Sequence, residues 1–377
     1  MTKIETNLTM DAAYEAVAPE DFHSMMEDDR YGKRSTAFDR IISATNDHFW
    51  DPTDSKYIDF SAPFDMENNY LNDPSQCMEL RTSIADKLTE KQKIRLANLD
   101  AKWTLSSILH GEAAALALSA SLCHILKDAG AQEYAANQAR EEARHVAGFT
   151  HYIRARYGKP YPVGVKLGDF LADLVNTPIV WKKLIGMQMI AEGLAMGAFA
   201  TLHKYTNDPV LRRLTQLTMT DEAFHHKFGK IWADKTIHLL KQEDRDAIED
   251  WSWDTFQIFQ YNLASGDQKA QVYVDAGLDP KMIEAAYMEA LTDVKLRQDM
   301  QETTYVMRIL IKTLIKAGII TSRTAPKYAA YIDLQELYAE GERMAGDVIA
   351  EEGIKYLRQL NGMGGGNYSL DTMNAAD

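Results

Sequence analysis

The chain has 377 residues, 46% of them apolar and 25% charged, an ordinary composition for a folded globular protein that argues against wholesale disorder. Its 41 Lys and Arg against 55 Asp and Glu give a net charge of −14, which opposes binding to a phosphate backbone or an anionic membrane surface and suits a basic redox partner. Cys77 and Cys123 form no CxxC, so neither a disulfide framework nor a thiolate metal cluster is expected, and a reducing, cytoplasmic setting fits.

The first residues lack the basic start and apolar run of a signal peptide, and a short helix is expected near Met10 to Ala18. From 44 to 74 the sequence is turn-rich, and Pro52, Pro63 and Pro74 block long helices. Phe49, Trp50, Tyr57, Phe60 and Phe64 give this stretch apolar surface to bury, so residues 1–88 read as a wrap laid over a bundle. Thr89 followed by Gln92 has the form of a capping box, and the proline-free run to about Lys127 predicts one long helix carrying Glu112. Asp128 opens a turn, and a second helix runs to about Tyr157, where Gly158 and Pro160 stop it. A shorter helix is expected over Leu167 to Asn176, and another from Pro178 to about Tyr205. After the Asn207-Asp208-Pro209 turn, a further helix continues to about Leu240. Residues 89–241 thus form a helical bundle.

The nearest approach to a membrane span is Leu184 to Ala200. Gln188 and Glu192 interrupt it short of roughly 18 continuous apolar residues, so it reads as a buried bundle helix and no span is expected. Beyond the bundle, helices over Glu243 to Asn262, Asp279 to Ala317 and Ile332 to Gln359 place residues 242–360 as a helical layer packed on it. The tail 361–377 is glycine-rich and reads as mobile; its GMGGG does not lie between a strand and a helix, which argues against a nucleotide loop. The fold class is all-α: a four-helix bundle with additional N- and C-terminal helices.

Within the bundle one phrase occurs twice. Glu112 precedes Glu142-Ala-Arg-His145 by the same 30 residues that separate Glu192 from Glu222-Ala-Phe-His225. In Glu-x-x-His both side chains lie on one face of a helix. Two antiparallel helices joined near residue 128 place residues equally far from the turn at one height, because each rises about 1.5 Å per residue. The turn near 208 does the same for the second half. Glu112 and Glu192 sit in apolar runs, where an uncompensated carboxylate would be costly, and four converging carboxylates would repel one another. Two divalent ions balance four carboxylates and leave two imidazoles neutral. Carboxylate oxygens with one imidazole per ion suit iron or manganese rather than structural zinc. His226 follows His225, but the repeat favours His225 and turns His226 about 100° away, toward packing.

These residues resemble the ferritin-like di-iron carboxylate superfamily, which includes ribonucleotide reductase small subunits, bacterial multicomponent monooxygenases and acyl carrier protein desaturases. The resemblance covers about residues 90 to 240. It implies that Glu112, Glu142 and His145 hold mainly one iron and Glu192, Glu222 and His225 the other, with some carboxylates bridging. It also implies that Glu141 and Asp221 orient the histidines and that Arg144 hydrogen-bonds these acidic groups. No named subfamily is matched. Phe149 stands where a radical-generating reductase has tyrosine, and Met196 where the monooxygenases have threonine. Ala195 replaces the desaturases' threonine, and Thr218 the extra histidine of arylamine N-oxygenases.

The resemblance implies an O₂-activating di-iron oxygenase or oxidase that hydroxylates, epoxidises, desaturates or N-oxygenates an apolar or aromatic small molecule. The cofactors would be two Fe ions, with Mn or mixed Fe/Mn as alternatives, and O₂. Ala115, Leu116, Phe149, Met189, Met196 and Phe199, on the ligand faces, are the candidate pocket. Electrons would come from an external donor such as ferredoxin or a reductase, since no flavin, nicotinamide or Fe–S motif is present. The extra helices suggest a homodimer. Iron storage or peroxide detoxification is the alternative, and the long extensions on both sides of the bundle speak against it.

Overall fold

In the computed structural model, residues 15–18, 20–264, 266–290, 292–302 and 305–363 are described. Apart from two isolated bridges, Ala16 to Leu126 and Asn72 to Thr206, the regular structure among them is helical. The bundle is formed by α1 (Glu90–Ile125), α2 (Ala129–Tyr157), α4 (Val180–Tyr205) and α5 (Pro209–Thr236), while α3 (Val165–Asn176) links the two halves. The Thr89 capping box closes as the sequence requires: Gln92 N donates to Thr89 Oγ1 at 3.4 Å and Thr89 N to Gln92 Oε1 at 3.0 Å. Asp128 caps α2 by accepting from Gly130 N at 2.8 Å, and Asp208 caps α5 by accepting from Val210 N at 2.9 Å. With turns that short, α1 and α2 pack as one antiparallel pair and α4 and α5 as the other. The pairs meet through α2 against α5.

Helix α4 departs from α geometry. Leu184–Ala191 forms a π-helical segment that ends where Glu192 begins. It is held closely on two sides. A Cβ on Gly186 would lie 2.4 Å from Leu174 Cδ2, and a Cβ on Gly229 of α5 would lie 2.6 Å from Gln188 Cβ. By length and composition α1 and α4 are both apolar enough to cross a membrane, although neither holds the uninterrupted apolar run whose absence led to no span being expected. Their core faces instead carry Glu112 and Glu192, and α4 is buried over most of its apolar window, as the bundle-helix reading anticipated.

The segment 45–73 has no long helix and buries Trp50, Tyr57, Ile58 and Leu71 against the bundle. Asn98 of α1 fastens it, accepting from Leu71 N at 2.7 Å and donating to Met66 O and Asn69 O at 2.9 Å. The short helix expected at Met10–Ala18 falls mostly outside the described residues; 15–18 are not helical, and Val17 N donates to Ile125 O at 2.8 Å. Of the expected mobile tail, 364–377 lie outside the described residues.

After α6 (Gln242–Ala264), the single helix expected over Asp279–Ala317 is instead three: α8 (Pro280–Ala290), α9 (Asp293–Gln301) and α10 (Val306–Lys316), preceded by a short α7 (Ala270–Ala276). Thr292 restarts the chain as an N-cap, accepting from Lys295 N. Every residue of α10 from Met307 to Ile315 is buried, and α10 packs on α4, which a straight continuation of the largely exposed α9 could not do. The helix expected over Ile332–Gln359 also divides, into α11 (Leu334–Ala339) and α12 (Ala345–Leu360). In the gap Glu340 accepts from Lys312 Nζ at 2.8 Å, and Asp347 accepts from Met344 N at 2.8 Å to start α12.

Two apolar clusters fill the bundle. One gathers Leu118, Leu122, Tyr134, Leu184, Phe224 and Phe228; the other gathers Leu105, Leu109, Phe149, Phe199, Leu211 and Leu214. Along each helix these sets flank the polar layer that carries Glu112, Glu142, Glu192 and Glu222.

Candidate metal centre

The four helices bring all six repeated residues together, and none of the six is more than 5% exposed. They form two groups of four donors, Glu112, Glu142, His145 and Glu222 in one and Glu142, Glu192, Glu222 and His225 in the other. Glu142 and Glu222 belong to both. His145 Nδ1 lies 3.2 Å from Glu112 Oε2, 3.3 Å from Glu142 Oε2 and 3.2 Å from Glu222 Oε1. His225 Nδ1 lies 3.0 Å from Glu222 Oε2, 3.2 Å from Glu142 Oε1 and 3.9 Å from Glu192 Oε1. Each central glutamate therefore turns one oxygen to each histidine, the disposition of a bridging carboxylate. Donors about 2.1 Å from one ion and at right angles to each other are about 3 Å apart, so these separations suit a metal ion in each group.

Charge supports the same fit. Burial pushes Glu112 and Glu192 well above the usual carboxylate range; His145 opposes this at Glu112, and the charges of Glu222 and Glu142 add to it at Glu192. Burial also works on Glu142 and Glu222, but His225 and the surrounding hydrogen bonds outweigh it, holding Glu142 far below its usual value and Glu222 at about 2. Burial disfavours charge on the imidazoles, yet Glu112 beside His145 and Glu222 with Glu142 beside His225 raise both. Two divalent ions against four carboxylates and two neutral imidazoles sum to zero.

The outer nitrogens are held crosswise. His145 Nε2 meets Asp221 Oδ2 at 2.8 Å and His225 Nε2 meets Glu141 Oε2 at 2.9 Å, so each repeat orients the other's histidine. Arg144 joins the two: Nε donates to Asp221 Oδ2 at 2.9 Å, Nη2 donates to Asp221 Oδ1, and Nη2 reaches Glu141 Oε1 at 3.4 Å. Against burial, Arg144 and the hydrogen bonds from His145 and His48 keep Asp221 well below the carboxylate range.

Sequence reasoning missed four residues here. His48, fully buried, stacks on Phe224 with ring centroids 4.8 Å apart, and its Nε2 forms ion pairs with Asp221 Oδ1 at 3.2 Å and Glu141 Oε1 at 3.7 Å. Phe224 occupies the repeat position of Arg144, and on that side His48 from the wrap stands against the acidic pair; burial disfavours charge on its imidazole, but Asp221 and Glu141 raise it. Trp50 Nε1 donates to Asp221 Oδ2 at 2.9 Å. Gln138 Nε2 donates to Glu142 Oε1 at 3.1 Å and Glu192 Oε1 at 2.9 Å, and Gln188 of the π segment donates to Gln138 Oε1 at 2.9 Å. Only Gln138 had a sequence signal, lying four residues before Glu142 on the same face. His226 is half-buried and belongs to neither donor group; burial first, then Lys227 and Lys230, push its imidazole down to about 4.

A cavity of about 190 Å³ opens onto Glu112 and Glu192 between α1 and α4, closed by α3, α6 and Val306. Ala115 and Phe199 line it. The other pocket candidates stand elsewhere: Phe149 stacks behind Phe199 with centroids 5.6 Å apart, Met189 and Met196 are core residues, and Leu116 is half-buried outside the lining. On α4 the difference is one residue of register, about 100° of rotation about the helix axis. On α4 the open face runs through Ala191, Leu194, Ala195 and Ala198, while Met196 points at Gly346 of α12.

No known family model matches the chain, and no curated protein matches it. Among solved structures it is similar to a variant R2-like ligand-binding oxidase with an anaerobically reconstituted Mn/Fe cofactor, at 17% identity and a TM-score of 0.39, over 76% of this chain and 94% of that one. By its own donors and helix order, the chain is a helical bundle whose core brings together two groups of four carboxylate and imidazole donors, each able to hold a metal ion.

Proposed function

We propose that the protein is a di-metal oxidoreductase that uses O₂ to oxidise an apolar small molecule. The observation that carries this reading is the cavity, which is lined mainly by apolar side chains and ends on Glu112 and Glu192, one terminal carboxylate from each donor group. A storage site has no need of an organic-sized apolar chamber at its metals.

Glu112, Glu142 and His145 would hold one ion and Glu192, Glu222 and His225 the other, with Glu142 and Glu222 shared. Bound there in reduced form, iron, manganese or one of each supplies O₂ activation that the protein's side chains cannot. The side chains do the rest. Asp221 and Glu141 fix the imidazoles so that Nδ1 faces the site, and Gln138 holds Glu192 and Glu142 in place. His48 and Trp50 close the side opposite the cavity, and the apolar lining excludes water from the reacting carbon. For an oxygenation, one oxygen atom enters the substrate and the other leaves as water, with two electrons and two protons from an external donor. A basic ferredoxin or reductase suits the acidic chain, and a cytoplasmic setting supplies such donors.

The test is anaerobic loading with Fe(II), Mn(II) or both, followed by O₂ admission with a reductant and a panel of apolar compounds. Two ions per chain and O₂ uptake that depends on the added compound are expected. Many irons per chain, or uptake indifferent to every compound, would point to storage or peroxide removal instead.

A further inference from the structure

The chamber beside Glu112 and Glu192 is long for its volume. On α1 its wall is the stripe Thr104, Ile108, Gly111 and Ala115, spaced by three or four residues so that all four face one way, and the stripe covers about 16 Å of helix. On α4 the wall is Ala191, Leu194, Ala195 and Ala198, and these four are the residues between 183 and 200 that are not buried. The chamber is therefore what that face of α4 opens onto.

Leu71 ties the start of α1 to the end of α4: its N–H donates to Asn98 Oδ1 at 2.7 Å, and its carbonyl accepts from Thr206 Oγ1 at 3.1 Å. The two helices thus run antiparallel, and Ala198 lies on the same side of the carboxylates as Thr104. By helix rise Thr104 is about 12 Å from Glu112, and Ala198 is about 9 Å from Glu192. Val306 closes that end, since its Cα would lie 2.7 Å from a Cβ on Gly197, next to Ala198. A volume of about 190 Å³ spread over this length leaves a narrow section, because a compact apolar cavity of about 150 Å³ already takes benzene. No Lys, Arg or His is among the lining residues, so no fixed cation there would hold a carboxylate.

We infer that the chamber selects unbranched chains. Its occupant is a slender neutral molecule whose extended alkyl portion runs from the metals toward Thr104, and Ala198, a small side chain at the closed end, sets how long that portion can be. The inference rests on the reading of this cavity as the substrate site and narrows the substrate from apolar molecules at large to linear ones.

The probes are nonane and its isomer 2,2,4,4-tetramethylpentane, equal in formula and different in girth, with the straight alkanes from pentane to dodecane. They are partitioned from headspace into the full-length protein loaded anaerobically with Mn(II). Nonane should bind about 10-fold more tightly than its isomer, the cost of forcing a bulky group into a packed wall. Along the straight series affinity should rise about 4-fold per CH₂ until the chamber is full and then level off. Ala198→Leu should move the levelling point to a shorter chain with pentane still bound; Ala198→Val should move it less, and it carries the test if the leucine variant does not fold. Equal binding of the two isomers, a levelling point that neither variant moves, or no binding of nonane would overturn the inference. Metal content measured on the same samples separates this from the functional proposal: a chain that holds no metal sinks the latter, whereas the isomer ratio and the levelling point judge the chamber.

Discussion

His145 Nε2 and Asp221 Oδ2 lie 2.8 Å apart across the bundle, and the pair is mirrored by His225 and Glu141 at 2.9 Å. Each half of the repeat thus sets the ring orientation of the other half's histidine. Asp221→Asn should weaken the metal held by His145, and Glu141→Gln the one held by His225, by about 10- to 100-fold each. Asp221→Asn should be the more damaging, because Asp221 also accepts from Arg144 and Trp50. Metal competition titrations with a chromophoric chelator read both, and equal, negligible losses would contradict the crosswise roles.

The shared carboxylates make a prediction about stoichiometry. Glu142→Ala and Glu222→Ala each remove a donor from both groups, so bound metal should fall from two ions toward none. Glu112→Ala and Glu192→Ala each touch one group and should leave about one. Elemental analysis of purified variants distinguishes the patterns; an even loss across all four would mean that the central glutamates do not bridge.

Gly111 lines the cavity, and a Cβ there would have no atom within 4 Å. Gly111→Ala should therefore stabilise α1 by about 0.5–1 kcal/mol, the usual helix advantage of alanine. Gly111→Leu should fill the chamber, cutting nonane uptake while leaving metal content unchanged. Thermal denaturation and partitioning check the two halves of the statement separately.

A second buried polar cluster, remote in sequence from the repeat, sets a pH dependence. Lys269 faces both Asp100, which accepts from its Nζ, and Glu79 at 3.7 Å, while Tyr273 and Cys77 also donate to Glu79 at 2.8 and 3.2 Å. One ammonium cannot neutralise two buried carboxylates. Burial, only partly offset by Lys269, pushes Asp100 up to about 6, while Glu79 stays below its usual value. A carboxyl whose folded pKa is raised favours folding in its protonated form, so this contribution is fully present below the unfolded value of 3.8 and is lost as pH rises through about 6. Between pH 7 and pH 5 the wild type should gain about 1 kcal/mol relative to Asp100→Asn. Urea unfolding of both at the two pH values measures it; a difference of opposite sign would place the ionised form as the preferred one.

The sequence by itself determined the donor set. The spacing of 30 between Glu112 and Glu142, repeated between Glu192 and Glu222, depends only on helix rise and turn position, and both are local properties that Thr89, Asp128 and Asp208 announce. The tertiary structure decided what surrounds those donors. His48 and Trp50 arrive from a segment with no periodicity, and nothing in their neighbours marks them as partners of Asp221. Phe224 breaks the repeat in sequence, and only the fold shows His48 stacked on it. The breaks inside 279–317 and 332–359 follow from where α10 and α12 must pack, and helical propensity is blind to that. The cavity turned on the rotation of α4, which selects Ala195 and Ala198 over Met196 and which no single-residue pattern encodes. Asn262 lies well outside the repeat, so its place in the lining of the chamber that opens onto Glu112 and Glu192 is a product of packing alone.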